Sequence, residues 1–199
     1  MSSAAFIKAL SKRLYPILRA EGFKGSGNTL RRINDPVVRV FNVQDASSGQ
    51  ECYLNLGAHL MFLSPEWCTT EASELKEYEC AFRDRFDPPA GPGFGWATSL
   101  TQEDLEESIS FICDHWKIYG HEFFNQYTAY PADFEKLVAN VDMAATHPID
   151  LLLNARIAIE LGIAHRAQAF LGEAMKRCPK QATALQSDLE MLLASVKNT

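Results

Sequence analysis

Apolar residues recur at helical intervals over the first twenty positions, and that period sets the first element. Phe6, Leu10, Leu14 and Leu18, with Ile7 and Ile17 beside them, give one apolar helix face. Pro16 interrupts the ladder and predicts a kink near Tyr15, and Gly22 is the expected stop. The period then shortens to two. Residues 29–33 predict a strand, and Asn34-Asp35-Pro36 a turn before the next one. In residues 37–44 one face carries Val37, Arg39, Phe41 and Val43, and the other carries Val38, Val40, Asn42 and Gln44. After a loop holding Ser47-Ser48-Gly49, an apolar face of Cys52, Leu54, Leu56, Ala58 and Leu60 alternates with Tyr53, Asn55, Gly57 and His59. Two such runs joined by a short turn predict an antiparallel hairpin.

The middle of the chain mixes signals. Ser64-Pro65-Glu66 predicts a helix start, with serine capping and proline at the first helical position. Glu66, Glu71, Glu74, Glu77 and Glu79 make residues 64–79 strongly acidic. Residues 79–86 alternate again, with Cys80, Phe82 and Phe86 expected on one face and Arg83 and Arg85 on the other. Residues 87–95 are too rich in proline and glycine for a regular element, so a loop leading to a short strand at 96–100 is expected. Thr101-Gln102-Glu103-Asp104 resembles a capping box. The helix it opens follows Leu105, Ile109, Ile112, Trp116, Tyr119 and Phe123, with a break expected at Gly120.

From Pro131 onward every period is helical. Pro131 and Pro148 read as first-turn prolines, and His147 as a helix-start residue. Residues 151–179 resemble one tetratricopeptide unit, with Ala155 and Ala158, Gly162 at the turn, then Ala167, Leu171, Ala174 and Pro179. Leu185, Leu189, Leu192 and Val196 supply a helix to cover it. The expected fold is therefore α+β: a mainly antiparallel sheet packed against helices, with an all-helical C-terminal extension. The domains are expected at 1–128 and 131–199, the second docked on the first.

The order of several fragments carries a family resemblance over residues 3–128. They are the helix ending in Gly22-Phe23, the Gly27-Asn28 turn with Arg31-Arg32, Val43-Gln44 closing a strand, Asn55-Leu56-Gly57 in its partner, Cys80 with Arg83 and Arg85, and Trp96 after a loop. Together they resemble the bacterial family known as domain of unknown function 4304. Gly25-Ser26 stands where that family is commonly lysine-rich, and Trp96 is single where a tryptophan pair is frequent. The resemblance implies a fold and brings no catalytic or ligand residues with it.

Composition narrows the function classes. At 199 residues, 47% hydrophobic and 22% charged, the chain reads as a globular protein. No apolar run approaches the roughly 20 residues of a membrane helix, so no membrane association is expected. The first residues lack a basic region before a long apolar core, so a cytoplasmic location is expected. Cys52, Cys68, Cys80, Cys113 and Cys178 are odd in number and form no C-x-x-C pair, which predicts free thiols. His59, His115, His121, His147 and His165 show no ligand spacing, so neither a metal nor a cofactor is expected. The glycine-rich run 22–27 follows a helix and leads into a strand, which favours a hairpin turn over a phosphate loop. No G-x-S-x-G appears, and Glu74-Leu75-Lys76 lacks the upstream aspartate strand of a nuclease site.

Charge divides unevenly. Residues 1–60 hold eight Lys/Arg against four Asp/Glu, and residues 61–199 hold eleven against twenty-one. The balance of −6 argues against nucleic acid and points to a basic protein partner. Glu103, Asp104, Glu106, Glu107 and Asp114 add to that acidic portion. The one concentration of candidate ligand groups is Arg39, Asn55, His59, Arg83 and Arg85, expected on one polar sheet face with Trp96 at its edge. Two functions follow. One is a non-catalytic protein of the immunity or regulatory kind that binds another protein. The other is a small-ligand binder or enzyme using the arginine-bearing face.

Overall fold

A computed structural model describes residues 3–63, 71–91, 93–98 and 101–197. The chain forms two compact units, residues 1–128 and 129–199.

The first unit opens with helix α1 (Ser3–Ala20), which runs unbroken through Pro16 and buries Phe6, Leu10, Leu14 and Leu18. It ends at Gly22, where φ is +92° and the amides of Gly22 and Phe23 return to the carbonyls of Arg19 and Leu18. That double return needs a left-handed residue, and glycine adopts it without steric cost. Among the described residues six strands follow: β1 (Lys24–Ser26), β2 (Thr29–Asn34), β3 (Val37–Asp45), β4 (Glu51–Leu60), β5 (Phe82–Arg85) and β6 (Trp96–Ala97). All pairings are antiparallel, in the order β1-β2-β3-β4-β5, with β6 also paired to β4. The expected hairpin forms in a register that sets Phe41 opposite Leu56 and Asn42 opposite Asn55. The glycine run makes a smaller hairpin of its own, since β1 pairs with β2.

One sheet face packs on helices. Phe41 meets the edge of Tyr15 from α1 at 6.2 Å and of Trp116 from α2 (Gln102–Asn125) at 5.6 Å. The apolar positions of β4 lie on this face, as the alternation predicts: Cys52, Leu54, Leu56, Ala58 and Leu60 are fully buried or nearly so. Helix α2 starts at the predicted capping box, with Thr101 and Asp104 bonding reciprocally. It does not break at Gly120. A Cβ there would stand 2.6 Å from the Trp116 ring, so the glycine makes room for an indole inside a continuous helix.

The other face is capped by the strap between β4 and β5. Leu75 and Cys80 close over Val38 and Val40, with Met61 and Ala72 packed against them. This double coverage explains why residues 37–41 are buried on both sides. It also corrects two expectations. Among the described residues of the acidic segment there is no α-helix, only a 3-10 turn at Glu77–Glu79. An extended path lets Leu75 and Cys80 reach the sheet, and Arg31 anchors it by donating to the carbonyls of Leu75 and Glu74. Cys80 consequently joins the strap side, whereas Phe82 faces the helices and stacks on Tyr127 at 4.5 Å. The predicted helix start at 64–66, Cys68 and the end of the predicted strand at 99–100 lie outside the described residues.

The second unit is all helical: α3 (Ala132–Asn140), α4 (Pro148–Glu160), α5 (Ala164–Arg177) and α6 (Thr183–Lys197). His147 caps α4, its Nδ1 accepting the Ile149 amide at 3.4 Å. The α4–α5 hairpin buries Ala155, Ala158, Ala167, Leu171 and Ala174, and Leu189 and Val196 of α6 are buried as well.

Candidate functional site

Pairing register decides which of the six candidate residues meet. Arg39 stands opposite Ala58 and Arg32, on the helix-packed face. Asn55 stands opposite Asn42 and Arg85, and Gly57 opposite Arg83, on the strap side. The set therefore divides. Asn55, Arg83 and Arg85 line one groove of about 270 Å³ with Glu77, Asp84 and Asp87. Arg39, His59 and Trp96 lie elsewhere.

Each of those three has a structural partner. Trp96 is buried, donates from Nε1 to the Phe86 carbonyl at 2.8 Å, and sits edge-on to the Phe86 ring. The sheet-edge aromatic predicted from sequence is thus part of the core. His59 is buried beneath the strap, its Nδ1 accepting the Ala81 amide at 3.1 Å. Burial pushes its pKa down to about 4 against a smaller pull from Glu79. The ring is neutral at pH 7 and holds the strap to β4. Arg39 is only 3% exposed, donating to Asn34 Oδ1 at 2.8 Å and Thr128 Oγ1 at 3.2 Å.

The groove has a polar floor built by cross-strand pairing. Asn55 Nδ2 donates to Gln44 Oε1 at 3.0 Å, and its Oδ1 accepts from Arg85 Nε at 3.2 Å. The Arg85 guanidinium lies 4.3 Å over the Tyr53 ring, which takes the platform role expected of Trp96. Arg83 Nε donates to Glu77 Oε1 at 2.7 Å, with Glu77 buried and Arg83 half exposed. Asp87 has a buried Oδ1 with no hydrogen-bond partner among the described residues, and burial raises its carboxyl pKa against the pull of Arg85. The surface continues past Glu77 and Arg83 into a second recess of about 400 Å³, floored by Asn42 and Gln44 and edged by Tyr78.

Two exposed aromatics stand in recesses that this arginine strand lines, and a third follows the groove in sequence. Tyr78 edges the second recess at 68% exposure, and Phe94, at 56%, follows the groove residue Gly93. Tyr119, at 50%, lines a third recess with Asp84 and Arg85. Sequence parity missed Asn42, Gln44 and Tyr53 as groove residues, although the hairpin register places all three beside Asn55 or Arg85. Glu77 carried no such signal, because its role depends on the path of an irregular strap.

Among the described residues the acidic portion is not arranged as two helices flanking one face. Glu77 is buried against Arg83, and Glu79 accepts the Lys76 amide. On α2, Glu106 shares a recess with Lys8, Lys12 and Arg13 of α1. Among the described residues no cluster of three His, Cys, Asp or Glu could hold a metal ion, and no helix is long and apolar enough to cross a membrane.

Comparison with known proteins gives one finding. No curated protein and no solved structure matches the chain. The family profile described as "Domain of unknown function (DUF4304)" matches residues 14–126. That span runs from the middle of α1 through the strap, the groove and the C-terminal turn of α2, and with it the chain belongs to the DUF4304 family.

Proposed function

We propose that this is a non-catalytic protein of the bacterial cytoplasm, immunity-like or regulatory, that binds another protein through the surface around β5. The observation that carries the reading is the exposed Tyr78 sharing one recess with Arg83 and the exposed Tyr119 sharing another with Arg85. Tyrosine, phenylalanine and arginine are enriched in protein interfaces, where flat rings and guanidinium forks give contact area and direction at low entropic cost. Arg85 forms no ion pair among the described residues, and its fork stands ready on the Tyr53 ring. An acidic segment of the partner complements it.

A basic partner is the second reading, favoured by the exposed Glu103 and Glu107 on α2. The two surfaces separate by mutation. Full-length protein is used to capture partners from lysate of its own source, beside the folded variants Tyr78→Ser/Arg85→Glu and Glu103→Lys/Glu107→Lys. A partner is then purified and its affinity measured. At least a tenfold loss confined to the first variant is expected, the scale of one or two hot-spot side chains at about 1.4 kcal/mol per decade. Loss confined to the second variant moves the site to α2. Equal affinity for all three proteins overturns both surfaces.

A further inference from the structure

Arg39 is a buried cation with no carboxylate in ion-pair contact among the described residues. All of its hydrogen bonds among the described residues go to neutral oxygens, those of Asn34 and Thr128, and its Nε has none. Its cross-strand neighbour is a second arginine, Arg32, which has no hydrogen bond or ion pair among the described residues. Two like charges facing each other across a sheet are destabilising, and a buried unpaired charge more so. The proximity of Arg32 and burial together lower the Arg39 pKa to about 10, with burial the larger cause.

Arg32, though not Arg39 itself, reaches a cleft of about 650 Å³ beside the end of α1 and the glycine hairpin. Lys24, Arg31 and Arg32 line it, together with Asn34, the acceptor of the Arg39 bond. The acid on its wall, Glu21, accepts instead from Trp116 Nε1 at 3.2 Å and lies 2.8 Å from His121 Nε2. Gly25 on the cleft wall lets the two strands of the hairpin close up: its φ is +133°, and a Cβ there would stand 2.5 Å from the Thr29 carbonyl oxygen. Ile33, nearly half exposed, gives the same cleft an apolar side.

We propose that this cleft binds the phosphoryl group of a small phosphate monoester, with Arg32 and Lys24 contacting the anion and Arg39 supporting it through Asn34. Arginine forks match phosphate oxygens in pairs, and a dianion offsets the uncompensated charge of the strand pair. The volume suits a small molecule whose organic part lies on Ile33. A nucleic-acid strand is a poorer occupant, because the positive charge is one pocket on a chain of net charge −6 instead of a continuous basic stripe.

The test uses the full-length protein, with thermal unfolding and calorimetric titration against inorganic phosphate, phenyl phosphate and an eight-residue oligothymidylate, each beside sodium chloride of equal ionic strength. A saturable rise in Tm with phosphate, and tighter binding of phenyl phosphate, are expected. Lys24→Gln/Arg32→Gln should weaken both by about tenfold or more, the scale of one lost charge-assisted hydrogen bond. Arg39→Met should weaken the response by less than the double variant does if it folds. Because that variant removes a buried group, the exposed-side double variant decides alone if it does not. No rise above the chloride control overturns the site, as does undiminished binding by the double variant. Oligothymidylate binding more tightly than phenyl phosphate at the same residues overturns the small-molecule occupant.

Discussion

Gly57 lies directly under Cys80. A Cβ built on Gly57 would stand 2.7 Å from the Cys80 Sγ and 3.0 Å from its Cβ. Strand β4 therefore meets the strap with no side chain between them, which lets Cys80 reach Val38 and Val40. Gly57→Ala should destabilise the protein by about 1–3 kcal/mol, the usual range for overpacking a well-filled site. Urea unfolding checks this. The loss should shrink in the Cys80→Ala background, because neighbouring substitutions that share one contact are not additive.

His59 makes stability depend on pH. The folded pKa is lowered to about 4 from 6.5, so the unfolded chain binds a proton that the folded chain refuses between those values. The contribution is complete above pH 6.5 and is lost as pH falls towards 4, by roughly 3 kcal/mol in all. Unfolding free energies measured from pH 7.5 to 4.5 should fall accordingly. His59→Gln should flatten that slope; an unchanged slope would show that another group titrates.

Cys52 should be inert in the folded protein. Burial, and a hydrogen bond from its Sγ to Asp45 Oδ1 at 3.3 Å, push the thiol up to about 12. Thiolate is the reactive form, so alkylation at pH 8 should leave Cys52 unmodified while the part-exposed Cys178 reacts. Peptide mass mapping after a timed iodoacetamide pulse distinguishes them, and Cys52 should label only after urea is added.

The α2 cap is a local device with a local effect. Thr101 Oγ1 accepts the Asp104 amide at 3.2 Å, and Asp104 Oδ2 accepts the Thr101 amide at 3.2 Å. Thr101→Ala should cost about 1 kcal/mol, typical of an N-cap lost to alanine. Thr101→Asn should restore most of it. Denaturation midpoints of the three proteins give the comparison.

These devices differ in how far sequence reveals them. The Thr101 cap and the Gly22 stop are written in adjacent residues, so periodicity and cap chemistry read them directly. The β3–β4 hairpin is nearly as legible, because alternation fixes parity and the short turn limits the register. Parity alone also separates Arg39 from Asn55, yet the shared-face expectation joined them because it followed residue type and not pairing. The strap was illegible for a different reason. Its glutamates suggest a solvated helix, but Leu75 and Cys80 must cover a sheet patch that exists only once β3 is paired on both sides. Trp96 misled similarly: a tryptophan after a glycine loop looks exposed until Phe86 supplies a carbonyl for its indole.

The Arg83–Glu77 pair ties stability to recognition at the proposed interface. Glu77 is 6% exposed and Arg83 is half exposed, so the two partners respond unequally to loss. Arg83→Ala leaves a buried carboxylate without its ion pair and should cost about 1–3 kcal/mol. Glu77→Gln removes the buried charge, keeps an acceptor for the guanidinium, and should cost less than about 1 kcal/mol. Equilibrium unfolding of both variants and of the double variant should therefore give unequal single costs and a clear coupling. The same order is expected for partner binding, because Arg83→Ala removes the contacting guanidinium outright whereas Glu77→Gln leaves it an acceptor to dock on. Calorimetric titration of the purified partner against each variant reads this second order. Equal unfolding costs for the two variants would mean that Glu77 is better hydrated than its burial implies, and that the strap is not pinned through this pair.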